Sequence, residues 1–188
     1  MRYVRESSME EYCTWYLRRE ASKEQREPAN WELTEPVTNM RRHHGGKMRP
    51  WFDATTRWRI AELNAETDLA CLVFLEDDWT KGAKLVVPGR PDYRILKQVA
   101  SNAKQMDYLG RLARLIRYYE GLQRDAFRLE GPNRIAVCSA EPCEMLTNPS
   151  ARYYLLDGAG RCLAYMLLLL ENKAESKPVE AFVAERSA

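Results

Sequence analysis

The stretch from Tyr153 to Tyr165 constrains the fold of this chain more than any other. Tyr153-Tyr154-Leu155-Leu156 is a short apolar run that ends on Asp157-Gly158. Behind it, Cys162 to Glu171 is an apolar block rich in strong helix formers, entered through Gly160 and Arg161. That order reads strand, tight turn, helix. A helix that begins just after a glycine turn presents unpaired backbone N–H groups and the positive end of its dipole, and Arg161 adds a charge in the first turn. The combination suits a phosphate. The same three parts also join elements in any α/β protein, so the motif alone carries both a binding and a connecting reading.

Composition narrows what surrounds this stretch. The chain has 188 residues, long enough for one substantial domain with an N-terminal extension. Apolar residues make up 45% and charged residues 30%, the balance of a globular protein that has a core. A formal charge of +2 supplies no global field toward nucleic acid, so any such attraction must come from local patches. Cys13, Cys71, Cys138, Cys143 and Cys162 are odd in number and show no CxxC spacing, which points to reduced buried thiols rather than a disulfide frame or a zinc site. Met1 to Glu27 is densely charged and lacks the apolar core of a signal peptide, and the longest apolar run is too short to cross a bilayer. The expectation is a cytoplasmic protein without a membrane partner.

In chain order, Ser8 to about Glu27 contains neither Gly nor Pro and repeats Tyr12, Trp15, Tyr16 and Arg19 at helical spacing. Ser8 can cap this helix and Glu11 can complete a capping box. The aromatic stripe is expected to dock on the parent domain or on a second subunit, with ligand stacking as the alternative. Pro28 and Pro36 predict an extended connection over residues 27–56. Within it, Arg41-Arg42-His43-His44-Gly45-Gly46-Lys47-Met48-Arg49 could wrap a phosphate with Lys47 or remain a solvated basic loop; adjacent histidines are a poor start for a metal site, and none is expected.

Residues 57–63 alternate and 69–75 run continuously apolar, which fits a β-hairpin, with a helix over 65–74 as the alternative. A short strand is expected at 83–87. Two helices follow, from Asp92 to about Met106 and from Asp107 to about Phe127. The second carries Tyr108, Leu112, Leu115, Tyr119 and Leu122 on one face and Arg114, Arg117, Arg124 and Arg128 on the other, a stripe readable as a hydrated face or a nucleic-acid contact. Gly131-Pro132 ends that helix, and Ile135-Ala136-Val137-Cys138 is expected to be a buried strand.

The opening stretch resembles the Asp-Gly-x-His-Arg box of the ParB/sulfiredoxin-like superfamily, with Asp157, Gly158 and Arg161 in register and Gly160 standing where the box has its histidine. The segment Lys177 to Ala184 is similar to the strand that closes such a domain, and the resemblance spans about residues 83 to 186. It implies an α+β fold, a small mixed sheet with inserted helices preceded by an N-terminal helical extension. The corresponding division is 1–56, helix and basic connection, and 57–188, the α+β domain. By the same resemblance Gly158, Ala159, Gly160 and Arg161 cradle phosphates, and Asp157 and Arg161 act in catalysis, Asp157 by orienting a hydroxyl or holding Mg2+. The implied activity is an ATP-dependent phosphotransferase acting on a small hydroxylated molecule or a nucleoside, with ATP and Mg2+ as cofactors. The alternative is a nucleotide-gated, DNA-associated binding module without kinase activity. Nucleotide and small-molecule substrate are the expected partners, a homodimer is compatible with either, and nucleic acid is not favoured.

Overall fold

Strand and helix formation along the chain follows the alternation of its apolar residues, and in the computed structural model every central strand buries both faces. The structure describes residues 1–43, 51, 55–74, 95–101, 117–118, 120–122, 129–139 and 152–186. Six strands, β1 (Arg2–Ser7), β2 (Thr56–Leu63), β3 (Val73–Phe74), β4 (Ile135–Ser139), β5 (Tyr153–Asp157) and β6 (Val179–Arg186), form one mixed sheet in the order β1-β2-β6-β4-β5-β3. Pairing is antiparallel for β1 with β2, β2 with β6 and β4 with β5, and parallel for β4 with β6 and β3 with β5. The α+β class expected from the sequence is the observed one.

Because side chains alternate along a strand, β4 and β6 feed two separate cores. Ile135, Val137, Ala181 and Val183 point into one, and Ala136, Cys138, Phe182 and Ala184 into the other. The first core is closed by α4 (Leu96–Ser101) and α5 (Ala159–Leu170). α5 buries Cys162 to Met166 without a break, as a helix apolar all round must when it lies inside a protein. The second core is closed by α1 (Met9–Lys23), whose Tyr12 is wholly buried, stacks on Trp58 with ring centres 4.6 Å apart and meets the Phe182 ring edge-on at 5.4 Å. The aromatic stripe thus docks on the parent domain. Ser8 caps α1 as expected, accepting from the Glu11 N–H at 3.0 Å, an interaction that stabilises a helix by about 1 kcal/mol. The Glu11 carboxylate turns instead to Arg5 and Ser7.

Several expectations need correction. Residues 27–56 are not an extended connection: α2 (Asn30–Thr34) and α3 (Pro36–His43) lie within them. Proline breaks a helix interior but suits its first turn, so Pro36 starts α3 rather than preventing it. α1 ends at Lys23 rather than near Glu27, because Gln25 turns left-handed at φ 54° and Arg26 N–H closes back on Ala21 O. Residue 56 is no boundary in the sheet, since β1 pairs along β2 and α1 lies on β2 and β6. The hairpin over 57–75 is also absent. β2 pairs with β1 and β6, whereas Val73–Phe74 lies at the far edge beside β5. Asn64 turns the chain by accepting from the Glu66 and Thr67 N–H groups, and Leu69, Ala70 and Leu72 then run through the core beside α4. A continuous apolar run needs burial on all sides, and this crossing supplies it.

The expected strands at 135–138 and 153–156 and the helix after Gly158 are present as β4, β5 and α5. The strand expected at 83–87, His44 to Arg49 with Lys47, and Arg114, Arg124 and Arg128 lie outside the described residues. Arg117, Tyr118 and Glu120 to Leu122 are helical, with Arg117 exposed and Leu122 buried, as the two-faced reading requires. Cys13, Cys138 and Cys162 are buried, whereas Cys71 is exposed.

Candidate functional site

One end of the sheet is made by the start of β4, the start of β6 and the end of β5. There Asp157, the last residue of β5, faces Ala136 across the antiparallel pair. Gly158 follows in the left-handed region at φ 94°, the N-cap of α5, and lets the chain reverse from strand into helix within one residue. A Cβ at this position would stand 2.8 Å from Ile135 Cγ2 and 3.1 Å from Arg161 Nη2, so both its backbone and its surroundings require glycine.

Ala159, Gly160 and Arg161 form the first turn of α5. A side chain at Gly160 would overlap the ring of Tyr118, which lies against the helix there. The departure from the Asp-Gly-x-His-Arg pattern thus has a steric counterpart: the volume a histidine would use is filled by an aromatic ring. Arg161 is buried at 8% exposure and donates from Nη2 to Asp157 Oδ2 at 3.1 Å.

Arg19 reaches the same carboxylate from α1. Its Nη2 donates to Asp157 Oδ1 at 3.0 Å, and its Nη1 donates to Oδ2. Arg19 Nη2 also donates to Glu20 Oε1 at 2.7 Å, and Lys23 shares that oxygen. Burial by itself would push the Asp157 carboxyl up, but the Arg19 charge and hydrogen bonds, with help from Arg161, outweigh it and hold the group below its ordinary range. Burial works against the charge of Arg161 and pulls it below its ordinary value, with Asp157 opposing that pull. For Arg19 the balance goes the other way and Asp157 wins.

The two guanidiniums form part of the wall of a cleft of about 870 Å³ between α1 and Arg117, Tyr118, Gly121 and Leu122. Both guanidiniums lie over the Trp15 ring, with Arg19 4.9 Å and Arg161 5.9 Å from its centre, and Trp15 Nε1 donates to Gly131 O at 3.1 Å. Phe182, fully buried, lies under Arg134, which is paired with Glu180 at 2.7 Å. Arg18 and Arg117 are exposed at the rim and have no ion pair among the described residues. Glu10 and Glu11 are the carboxylates of the wall among the described residues, and Glu11 is engaged by Arg5. The cleft therefore combines aromatic surface with an excess of guanidinium groups, a combination suited to an anionic ligand that carries a ring.

The structure brings Asp157, Gly158, Ala159, Gly160 and Arg161 to this place, while Lys47 is outside the described residues. The sequence reading assigned no site role to Arg18 or Arg134, and gave ligand stacking for the stripe of Trp15 and Arg19 and a nucleic-acid contact for Arg117 only as alternatives. Arg19 did leave a signal, since it recurs in register with Tyr12, Trp15 and Tyr16, and a charge on the buried stripe of a helix needs a partner. Both oxygens of Asp157 accept from guanidiniums, and two cations at that range repel a third, so this carboxylate does not fit a Mg2+ ligand. No group of three His, Cys, Asp or Glu side chains able to hold a metal is present among the described residues, and none of the described helices is long and apolar enough to cross a membrane. Comparison with family models, with curated proteins and with solved structures found no match.

Proposed function

We propose that this protein binds a nucleoside phosphate in the cleft between α1 and Arg117, Tyr118, Gly121 and Leu122, with the phosphates toward Arg161 and the N-terminus of α5. The observation that carries the reading is the pair of largely buried guanidiniums, Arg19 and Arg161, in the wall of a cleft beside the Trp15 ring. Arginine's planar fork matches phosphate oxygens, and an indole already bearing cations is a suitable neighbour for a base or a ribose. A cleft of about 870 Å³ is of the size that holds such a ligand.

Phosphoryl transfer from ATP to a small hydroxylated molecule or a nucleoside is the narrower form of the proposal. Transfer needs a group to orient the attacking hydroxyl, and Asp157 is already committed to two guanidiniums, so its proposed part is to position them. ADP release in the presence of a hydroxylated acceptor would support transfer. Saturable binding without ADP release would leave a nucleotide-gated binding module.

The direct test is a thermal-shift panel of ATP, ADP, AMP, adenosine and pyrophosphate, since a ligand that prefers the folded chain must raise its apparent stability. Phosphorylated ligands should raise the melting temperature and adenosine should not. The Arg18→Ala/Arg117→Ala double variant changes exposed rim residues and should weaken ATP by about tenfold or more while leaving the unliganded melting temperature unchanged. Equal shifts by ATP and adenosine, or none by any phosphate, would sink the reading.

A further inference from the structure

The arrangement behind the cleft wall bears on which phosphates are bound, an inference that rests on the phosphate-binding reading above. Arg19 and Arg161 have side chains only 10% and 9% exposed and both form part of the wall, whereas Asp157, 18% exposed, pairs with both and is not itself a wall residue. Asp157 is thus a fixed internal anion holding two cations of the site. Arg19 and Arg161 pair with Asp157, and Arg19 and Lys23 pair with Glu20. Arg19 Nε is also buried with no hydrogen-bond partner among the described residues.

A ligand anion entering this wall must share the guanidiniums with Asp157. A carboxylate, or a phosphate of low charge, brings little that Asp157 does not already provide. A diphosphate group carries more charge and more acceptor oxygens, enough to bridge Arg19 and Arg161 while its outer oxygens meet Arg18 or Arg117 at the rim. We propose that Asp157 is a specificity-determining residue: by partly neutralising the Arg19–Arg161 pair it makes the cleft select di- and triphosphate chains over monophosphates and carboxylates. It acts through the arginines and is a positioning residue, not a catalytic one.

Calorimetric binding of pyrophosphate, inorganic phosphate and acetate to the full chain tests this with wild type, Asp157→Asn and Asp157→Glu. Wild type should prefer pyrophosphate to phosphate by about 100-fold. In Asp157→Asn, phosphate should bind about tenfold tighter and the preference should fall below about tenfold, whereas Asp157→Glu, which keeps the charge, should retain it. An unchanged preference in Asp157→Asn, or equal weakening of both anions, would overturn the inference while leaving the phosphate-binding reading standing. Absence of any binding to wild type would remove that reading and the inference with it. Should Asp157→Asn fail to fold, wild type supplies a second measurement. The Nε–H resonances of Arg19 and Arg161 should move on titration with pyrophosphate and stay fixed with acetate, and saturable pyrophosphate binding that leaves both unmoved would equally overturn the proposal.

Discussion

At Gly158 the backbone stands at φ 94°, and an added methyl group would lie 2.8 Å from Ile135 Cγ2. Gly131 is also left-handed, at φ 55°, but a Cβ there would meet nothing within 4 Å. Comparing the two separates backbone strain from crowding. Gly131→Ala should destabilise by about 1 kcal/mol, the penalty of a side chain in the left-handed region. Gly158→Ala should lose about 2–4 kcal/mol, because a packed β-branched residue must also move. Denaturant midpoints of the two variants check this, and equal losses would mean that Ile135 yields without resistance. Gly160 differs from both, as it has an ordinary helical backbone and is required by the Tyr118 ring alone. That contact joins the first turn of α5 to Tyr118, so the three glycines serve three separate purposes.

The element that assembles the site is α1. Trp15, Arg18, Arg19 and Lys23 come from it, while Asp157 and Arg161 come from β5 and α5. These two groups meet only because Tyr12, Tyr16 and Leu17 seat α1 on the sheet. Tyr12 is wholly buried between Trp58 and Phe182, and Tyr12→Ala should destabilise the fold by about 3–5 kcal/mol. The same variant should bind ATP more weakly even under conditions where it remains folded, since Arg19 and Trp15 would no longer be held against α5. Urea unfolding combined with ligand titration reads both effects. A stability loss without any loss of affinity would show that α1 keeps its place by other contacts.

Across the whole molecule the ion pairs set how stability responds to acid. Hydrogen bonding from Arg5 holds Glu11 below its ordinary value of 4.5. Burial would raise Glu20, but Lys23 and Arg19 outweigh it and lower that group too. Asp157 is lowered against burial by Arg19 and Arg161, from an ordinary value of 3.8. For a carboxyl whose folded value lies below its unfolded value, the stabilisation is complete above the unfolded value and is lost as pH falls through the folded one. The melting temperature should therefore change little on account of these groups between about pH 7 and 5 and fall steeply below about pH 4. Asp157→Asn, already destabilised at pH 7 by the loss of its buried pair, should fall less steeply over the acid range. Parallel acid profiles for the two proteins would show that Asp157 contributes nothing to the dependence.

The local elements were legible in the sequence wherever the pattern was strong. The capped helix after Ser8, the strands around Ile135 and Tyr153, and the turn at Gly158 into a helix follow from capping, alternation and a glycine, all of which act over a few neighbouring residues. Proline misled at residue 36, because the same ring that stops a helix also begins one. Pairing was not legible: nothing within Val73–Phe74 records that its partner is β5 rather than β2, or that β1 would complete the sheet. The partner of Asp157 was hidden for the same reason, since Arg19 lies 138 residues away and the two meet only when α1 is seated on the sheet. Short-range sterics and hydrogen bonding therefore determined the pieces. The balance of burial and charge between distant segments, settled only when the chain closes on itself, decided which pieces became a site.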